Sequence, residues 1–218
     1  MVTDSSRQES PAEFDFDAGW LCLDFANTVP VHNAESGKRH PDSHPALETY
    51  ADFVEWARQA GQVDEETARR LLGNAGRDPR AAEAALANAL RLREVIYRLV
   101  TAGVEEKQPG EADLDAFNGA LLLARSRLQL AHSGSEFVWA WKDLGAVLDA
   151  PLAPILESAA QLLTAAADMA RVRHCGGDTC DWLFMDTSRN QSRRWCSMSG
   201  CGNRAKARRH YQRKRASP

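Results

Sequence analysis

The cysteines constrain this chain more than any other feature. Four of the five stand as Cys175-x4-Cys180 and Cys196-x4-Cys201, with fifteen residues between the pairs. Two short pairs separated by a hairpin-sized insert are the spacing of a tetrahedral structural zinc site, since each pair can offer two thiolates from one turn. Two disulfides, or four unrelated thiols, are the alternatives, but nothing in the sequence points to an oxidising compartment. All four positions are cysteine, so no coordination place is left for water or substrate. The zinc is therefore expected to be structural, not catalytic. A module this small cannot bury enough core alone, and metal binding should drive its folding.

Charge separates the same segment from the rest. From Arg171 onward there are twelve of the 27 Lys and Arg but only three of the 30 Asp and Glu, a local +9 against −12 for residues 1–170. A basic end on an acidic body implies one electrostatically distinct binding module. Met1–Pro11 is polar and acidic and no apolar run is long enough to cross a bilayer. A cytoplasmic, nucleoid-associated chain with no membrane partner is expected.

The 218 residues divide into a disordered tail (1–12), a helical domain (13–170), the cysteine module (171–215) and a short tail (216–218). Helical patterning predicts a segment over Gly19–Thr28, then helices over Leu47–Ala60, from Asp64 to a stop at Gly73-Asn74, from Asp78-Pro79 to about Val100, over Ala112–Leu123 and over Ile155–Met169. Alternation across Ser133-Gly134-Ser135 predicts a β-hairpin of Arg127–His132 with Glu136–Trp141. Lone Cys22 reads as a small buried hydrophobe. Pro30–Pro45, with His32, His40 and His44, reads as a surface loop, because its prolines prevent one helix from presenting the histidines together.

One charge in the long helix stands out. Arg93 falls near the middle of the apolar arc formed by Leu86, Ala89, Leu92, Ile96 and Val100. A buried arginine needs a carboxylate or an anionic ligand. Asp24 is the expected partner; the alternative is that Arg93, Asn27 and Thr28 line a pocket for a small anion.

Within the cysteine module, Gly176 and Gly177 suit a tight knuckle whose amides point at sulfur. Trp182–Met185 is expected as a strand, Asp186–Ser192 as a turn, Arg193–Cys196 as the returning strand, and Gly200–Lys214 as a helix. Knuckle, hairpin, then a second ligand pair at a helix start is a treble-clef order. The helix carries Arg204, Arg208 and Arg215 beside Tyr211 on one stripe and Lys206, Arg209 and Arg213 on another, with no acid after Asp186. Arg189, Arg193 and Arg194 add to this end. Two basic stripes suit a helix lying between phosphates of a nucleic-acid groove. Arg204 is open to pairing with Asp186 or reaching a phosphate, and Asp186 to capping its own turn.

The run D-T-S-R-N-Q-S-R-R-W-C-S, followed by Cys201-Gly202-Asn203-Arg204, closely resembles the CGNR zinc-finger family. G-W-L-C-L-D-F-A-N-T, with Leu23–Thr28 as its core, is similar to the start of the ABATE domain that precedes this finger in bacterial proteins. The resemblance spans nearly the whole chain. It implies Cys175, Cys180, Cys196 and Cys201 as ligands of one structural Zn2+, and a stress-linked transcription regulator. The expected architecture is mainly α with a small β-hairpin, plus a C-terminal treble-clef-like four-cysteine zinc finger. The finger is expected to bind duplex DNA, with phosphate contacts from Arg189, Arg193, Arg194, Lys206, Arg209 and Arg213 and base-edge contacts from Arg204, Arg208 or Tyr211. The helical domain would sense a small molecule or form a homodimer. The competing reading is a zinc-stabilised module docking an acidic protein, or RNA. No Ser/His/Asp set, phosphate loop or metal–carboxylate motif stands out, so no enzyme is expected.

Overall fold

The structure, a computed structural model, describes residues 13–29, 47–178 and 180–216. The expected tail over 1–12 and the histidine loop over Pro30–Pro45 lie outside the described residues. The domain is mainly helical, with two small antiparallel strand pairs.

Helix α1 (Leu21–Ala26) is short and central: Cys22, Leu23 and Phe25 are fully buried. Burial pushes the Cys22 thiol up to about 12, so it behaves as a hydrophobe. Helix α2 (Tyr50–Gln59) starts with a capping box. The Asp52 amide donates to Thr49 Oγ1 (3.2 Å) and the Thr49 amide to Asp52 Oδ2 (2.7 Å). Its Phe53 and Trp56 meet Phe25 at ring-centroid distances of 6.0 and 5.1 Å. This aromatic knot anchors the core, and truncating Phe25 to alanine should cost about 3–5 kcal/mol.

Helices α3 (Glu65–Arg77) and α4 (Pro79–Val104) meet at Asp78, which ends the first and caps the second by accepting from the Ala81 amide at 3.0 Å. The expected stop at Gly73-Asn74 does not occur. Arg77 reaches back to Gly73 O (3.2 Å) and Asn74 Oδ1 (2.8 Å), and Asn74 Nδ2 donates to Gly145 O (3.1 Å). Tertiary bonds there override weak local propensity. Helix α5 (Glu111–Arg125) leads into strands β1 (Leu128–Ser133) and β2 (Glu136–Trp141), which pair from Leu128↔Trp141 to Ser133↔Glu136. The single helix expected over Ile155–Met169 is two: α6 (Leu152–Thr164) and α7 (Ala166–Met169), broken at Ala165, whose ψ is 87°.

Strands β3 (Val172–His174) and β4 (Leu183–Met185) pair antiparallel, Arg173 opposite Phe184. The strand expected over Arg193–Cys196 does not form. β4 has only two edges: β3 takes one and the helical domain takes the other. The Asn27 carboxamide bonds both backbone groups of Leu183, accepting from its amide (3.1 Å) and donating to its carbonyl (2.8 Å). The Met185 amide donates to Ala18 O (2.7 Å). A π turn (Met198–Gly202) then opens helix α8 (Asn203–Ala216). Val172, Leu183 and Phe184 are fully buried in the same core as Leu23, Ile96 and Ile155. Among the described residues, no helix is long and apolar enough to cross a membrane.

Candidate metal centre and nucleic-acid interface

Chain reversals bring the two cysteine pairs together. Cys175 and Cys180 close the turn between β3 and β4; Cys196 precedes the π turn and Cys201 lies within it. The four Sγ atoms all lie within 4.8 Å of one another, with Cys180–Cys196 at 3.8 Å and Cys196–Cys201 at 3.7 Å. A tetrahedral zinc–thiolate site with bonds of about 2.3 Å has sulfur–sulfur edges of about 3.8 Å. No disulfide joins them. Hydrogen bonds from neighbouring thiols, Cys180 foremost, pull Cys175 down to about 7. Proximity to Cys175 pushes Cys180 and Cys196 upward. Four sulfurs this close ionise together only around a cation, and the chain holds one structural zinc here.

The knuckle leaves no room for side chains. A Cβ on Gly176 would sit 2.9 Å from Arg194 O, and one on Gly177 would sit 3.2 Å from Cys201 Sγ. The Gly176 amide donates to Arg194 O (2.7 Å), so it ties the two halves of the finger together rather than pointing at sulfur. The Cys196 amide does face sulfur, 3.3 Å from Cys175 Sγ. Arg204 Nη2 lies 3.3 Å from Cys201 Sγ, where its charge offsets the −2 of four thiolates on zinc. Arg204 is half-buried beside the metal centre.

The finger has an inner face against the helical domain and an outer face toward solvent. On the inner face, Asp186 caps its own turn, accepting from Ser188 Oγ (2.6 Å) and from the amides of Ser188 (2.9 Å) and Arg193 (3.0 Å). The Ser188 hydroxyl foremost holds this carboxyl below the usual range. Arg193 is not a free cation for phosphate. Its guanidinium donates to the carbonyls of Trp195 (3.0 Å), Asp17 (3.1 Å) and Cys196, and lies 4.6 Å from the Phe184 ring centre. Trp182 Nε1 donates to Val29 O (3.1 Å) and the Tyr97 hydroxyl to Asp181 O (3.0 Å).

The expected Asp24–Arg93 pair is absent. Asp24 Oδ1 accepts from the Ala18 amide (2.9 Å), and burial raises its carboxyl to about 7. Arg93 bonds Thr28 O (3.2 Å) and Glu94 Oε1 (3.1 Å) from its own helix. The helical wheel gives the face Arg93 occupies and not the atoms waiting there. Thr28 and Arg93 do not line the cavity that Asp24 and Asn27 share. The cavity beside Asp24 and Asn27 is about 10 Å³, carries Asp15 and Asp17, and excludes Arg93.

The outer face keeps most of the expected cations. Arg189 and Arg194 are exposed, as is every side chain from Lys206 to Arg215, including Lys206, Arg208, Arg209, Arg213 and Tyr211. Arg208 pairs with Asp178 at the surface. Sequence reasoning missed Trp195, half-buried with Arg194 and Arg209 5.6 and 5.9 Å from its ring centre. Its signal was the arginine pair immediately before an aromatic residue in R-R-W-C. Asn27 was singled out as a pocket residue, but its role as the joint between the two domains was missed, because a carboxamide that replaces a strand leaves no periodic trace.

Two family profiles match this arrangement. The CGNR zinc finger profile matches residues 171–214. The ABATE profile, described as "Putative stress-induced transcription regulator", matches residues 19–166. The chain belongs to the ABATE family. A search of curated proteins finds no match. The L-D-F-A-N-T stretch of the ABATE domain is thus the part that receives the CGNR finger: Asn27 bonds β4, and Thr28 holds Arg93 beside it.

Proposed function

We propose that this ABATE-family chain is a transcription regulator whose zinc finger binds duplex DNA through its outer face. The observation that carries the reading is α8, a helix with no acidic residue, anchored at its head by Cys201 and exposed from Lys206 to Arg215. From Lys206 onward such a helix gains little from packing and, among phosphates, gains counterion release at every neutralised charge. Arg189, Arg194, Lys206, Arg209 and Arg213 supply the phosphate contacts. Arg208 and Tyr211 are placed for base edges, and Trp195 stiffens Arg194 and Arg209 through cation–π contact. The ABATE domain holds the finger and carries the regulatory input; no catalytic chemistry is assigned to it, and the protein works at the nucleoid.

The test is binding of the zinc-loaded chain to duplex DNA, single-stranded RNA and heparin at several salt concentrations. With five phosphates engaged, log affinity for duplex should fall against log salt with a slope of about −4.5. Replacing Lys206, Arg209 and Arg213 by alanine should make that slope shallower by about 3 and leave the fold intact. No duplex binding at low salt, or equal binding to heparin with no preference for duplex, would overturn the reading in favour of an acidic protein partner.

A further inference from the structure

We infer that the β1–β2 hairpin is a dimerisation arm that seats against the same arm of a second copy of this chain. The pairing register places Leu130 opposite Trp139 and His132 opposite Phe137, so these four share one face of the ribbon. That face points into solvent: Phe137 and Trp139 are each 71% exposed and Leu130 is 59% exposed. Among the described residues, the outer half of the arm is open on its other face too, where Val138 is 39% exposed.

A two-stranded ribbon is marginal alone in water, and soluble monomers rarely show contiguous apolar patches beyond a few hundred Å². With roughly 150–250 Å² on each aromatic side chain, the three exposed hydrophobics of this face, Leu130, Phe137 and Trp139, offer about 400 Å². The polar remainder of the arm brings the face near the ~800 Å² that one partner contributes to a standard interface.

Charge selects the occupant. Residues 1–170 carry −12, so two copies repel over most of this body. The shared face of the hairpin, Leu128, Leu130, His132, Phe137, Trp139 and Trp141, holds no carboxylate, and two acidic bodies can touch there at least cost. The face is also self-complementary. Next to Trp139 lies a cavity of about 400 Å³, lined also by Leu128, Trp141 and the Arg125–Glu157 ion pair. In a two-fold arrangement each Phe137 can enter the notch of the other copy.

Sedimentation velocity on the zinc-loaded full chain, from low to high micromolar, tests this. The wild type should move at twice the 24.1 kDa chain mass, and Phe137→Ser/Trp139→Ser at the chain mass with the thermal midpoint of a wild-type monomer. Leu130→Arg, a single charge on the same exposed face, should separate the copies in the same way and guards against a folding defect in the double variant. A wild type that stays at the chain mass throughout overturns the inference. So does either variant, folded, that still dimerises at wild-type concentration.

Discussion

Arg193 and Arg194 are neighbours in the sequence and opposites in the structure. Arg193 turns inward and spends its guanidinium on carbonyls of the finger and the ABATE domain, against the Phe184 ring. Arg194 turns outward, exposed, beside Trp195. The same contrast divides the whole finger: an inner face of buried, bonded groups that fixes it to α1, and an outer face of solvated cations. An arginine's role is set by the side of the backbone it leaves. On the inner face its removal is a stability loss; on the outer face it is a binding loss.

Zinc removal should break the comparison altogether, since both faces depend on it. Structural zinc is worth about 10–16 kcal/mol in isolated fingers. A chelator, or Cys196→Ser, should therefore melt the finger and also lower the thermal midpoint of the ABATE domain, whose core it shares. Mass spectrometry under native conditions should count one zinc per chain. An ABATE midpoint unmoved by chelation would show that the shared core carries no coupling.

The two arginines come next. Arg193→Ala should cost about 2 kcal/mol in denaturant unfolding, because three carbonyls, that of buried Cys196 among them, lose a charged donor. Arg194→Ala should stay within about 0.5 kcal/mol while weakening duplex binding. Equal stability losses would erase the distinction between the faces.

Asn27→Ala sharpens the inner face further. Losing both bonds to Leu183 should cost about 2 kcal/mol, and hydrogen exchange should quicken at Leu183 and Met185 before it does in α4. Uniform quickening would mean that Asn27 serves the whole fold and not the joint.

The smallest effect is the pH dependence of Asp24. Its folded carboxyl titrates at about 7, against about 3.9 in the unfolded chain. The unfolded state therefore gives up its proton first. Stability from this group is full below about pH 4, falls as pH rises toward 7, and is level above. Between pH 6 and 8, where the finger keeps its zinc, the fall should be about 1 kcal/mol. Asp24→Asn, which keeps an acceptor for the Ala18 amide, should flatten it in unfolding curves; an unchanged slope would assign the titration elsewhere.

Local features were legible in the sequence. Cysteine spacing reported the zinc site because both pairs are short-range and the closed ligand set excludes a reacting water. Apolar periodicity reported α4, and alternation reported β1–β2, because each pattern is written in one segment. Charge counting reported a basic helix, since no acid follows Asp186. What failed, beyond helix ends at Gly73-Asn74 and Ala165, was a question of partner. Trp182–Met185 read as a strand with Arg193–Cys196 returning beside it, but its partner is Val172–His174. The choice fell to β3 because Asn27 and Ala18, more than 150 residues upstream, occupy the edge that Arg193–Cys196 would have needed. Arg93 read as buried, yet its acceptors are Thr28 O and a neighbour on its own helix. By itself, then, the sequence determined most of the elements, the metal and the sign of the charge, all of which depend on residue type and near spacing. Only the tertiary structure decided which edge pairs with which and which arginine faces in. Backbone carbonyls and open strand edges carry those interactions, and every residue type has them alike.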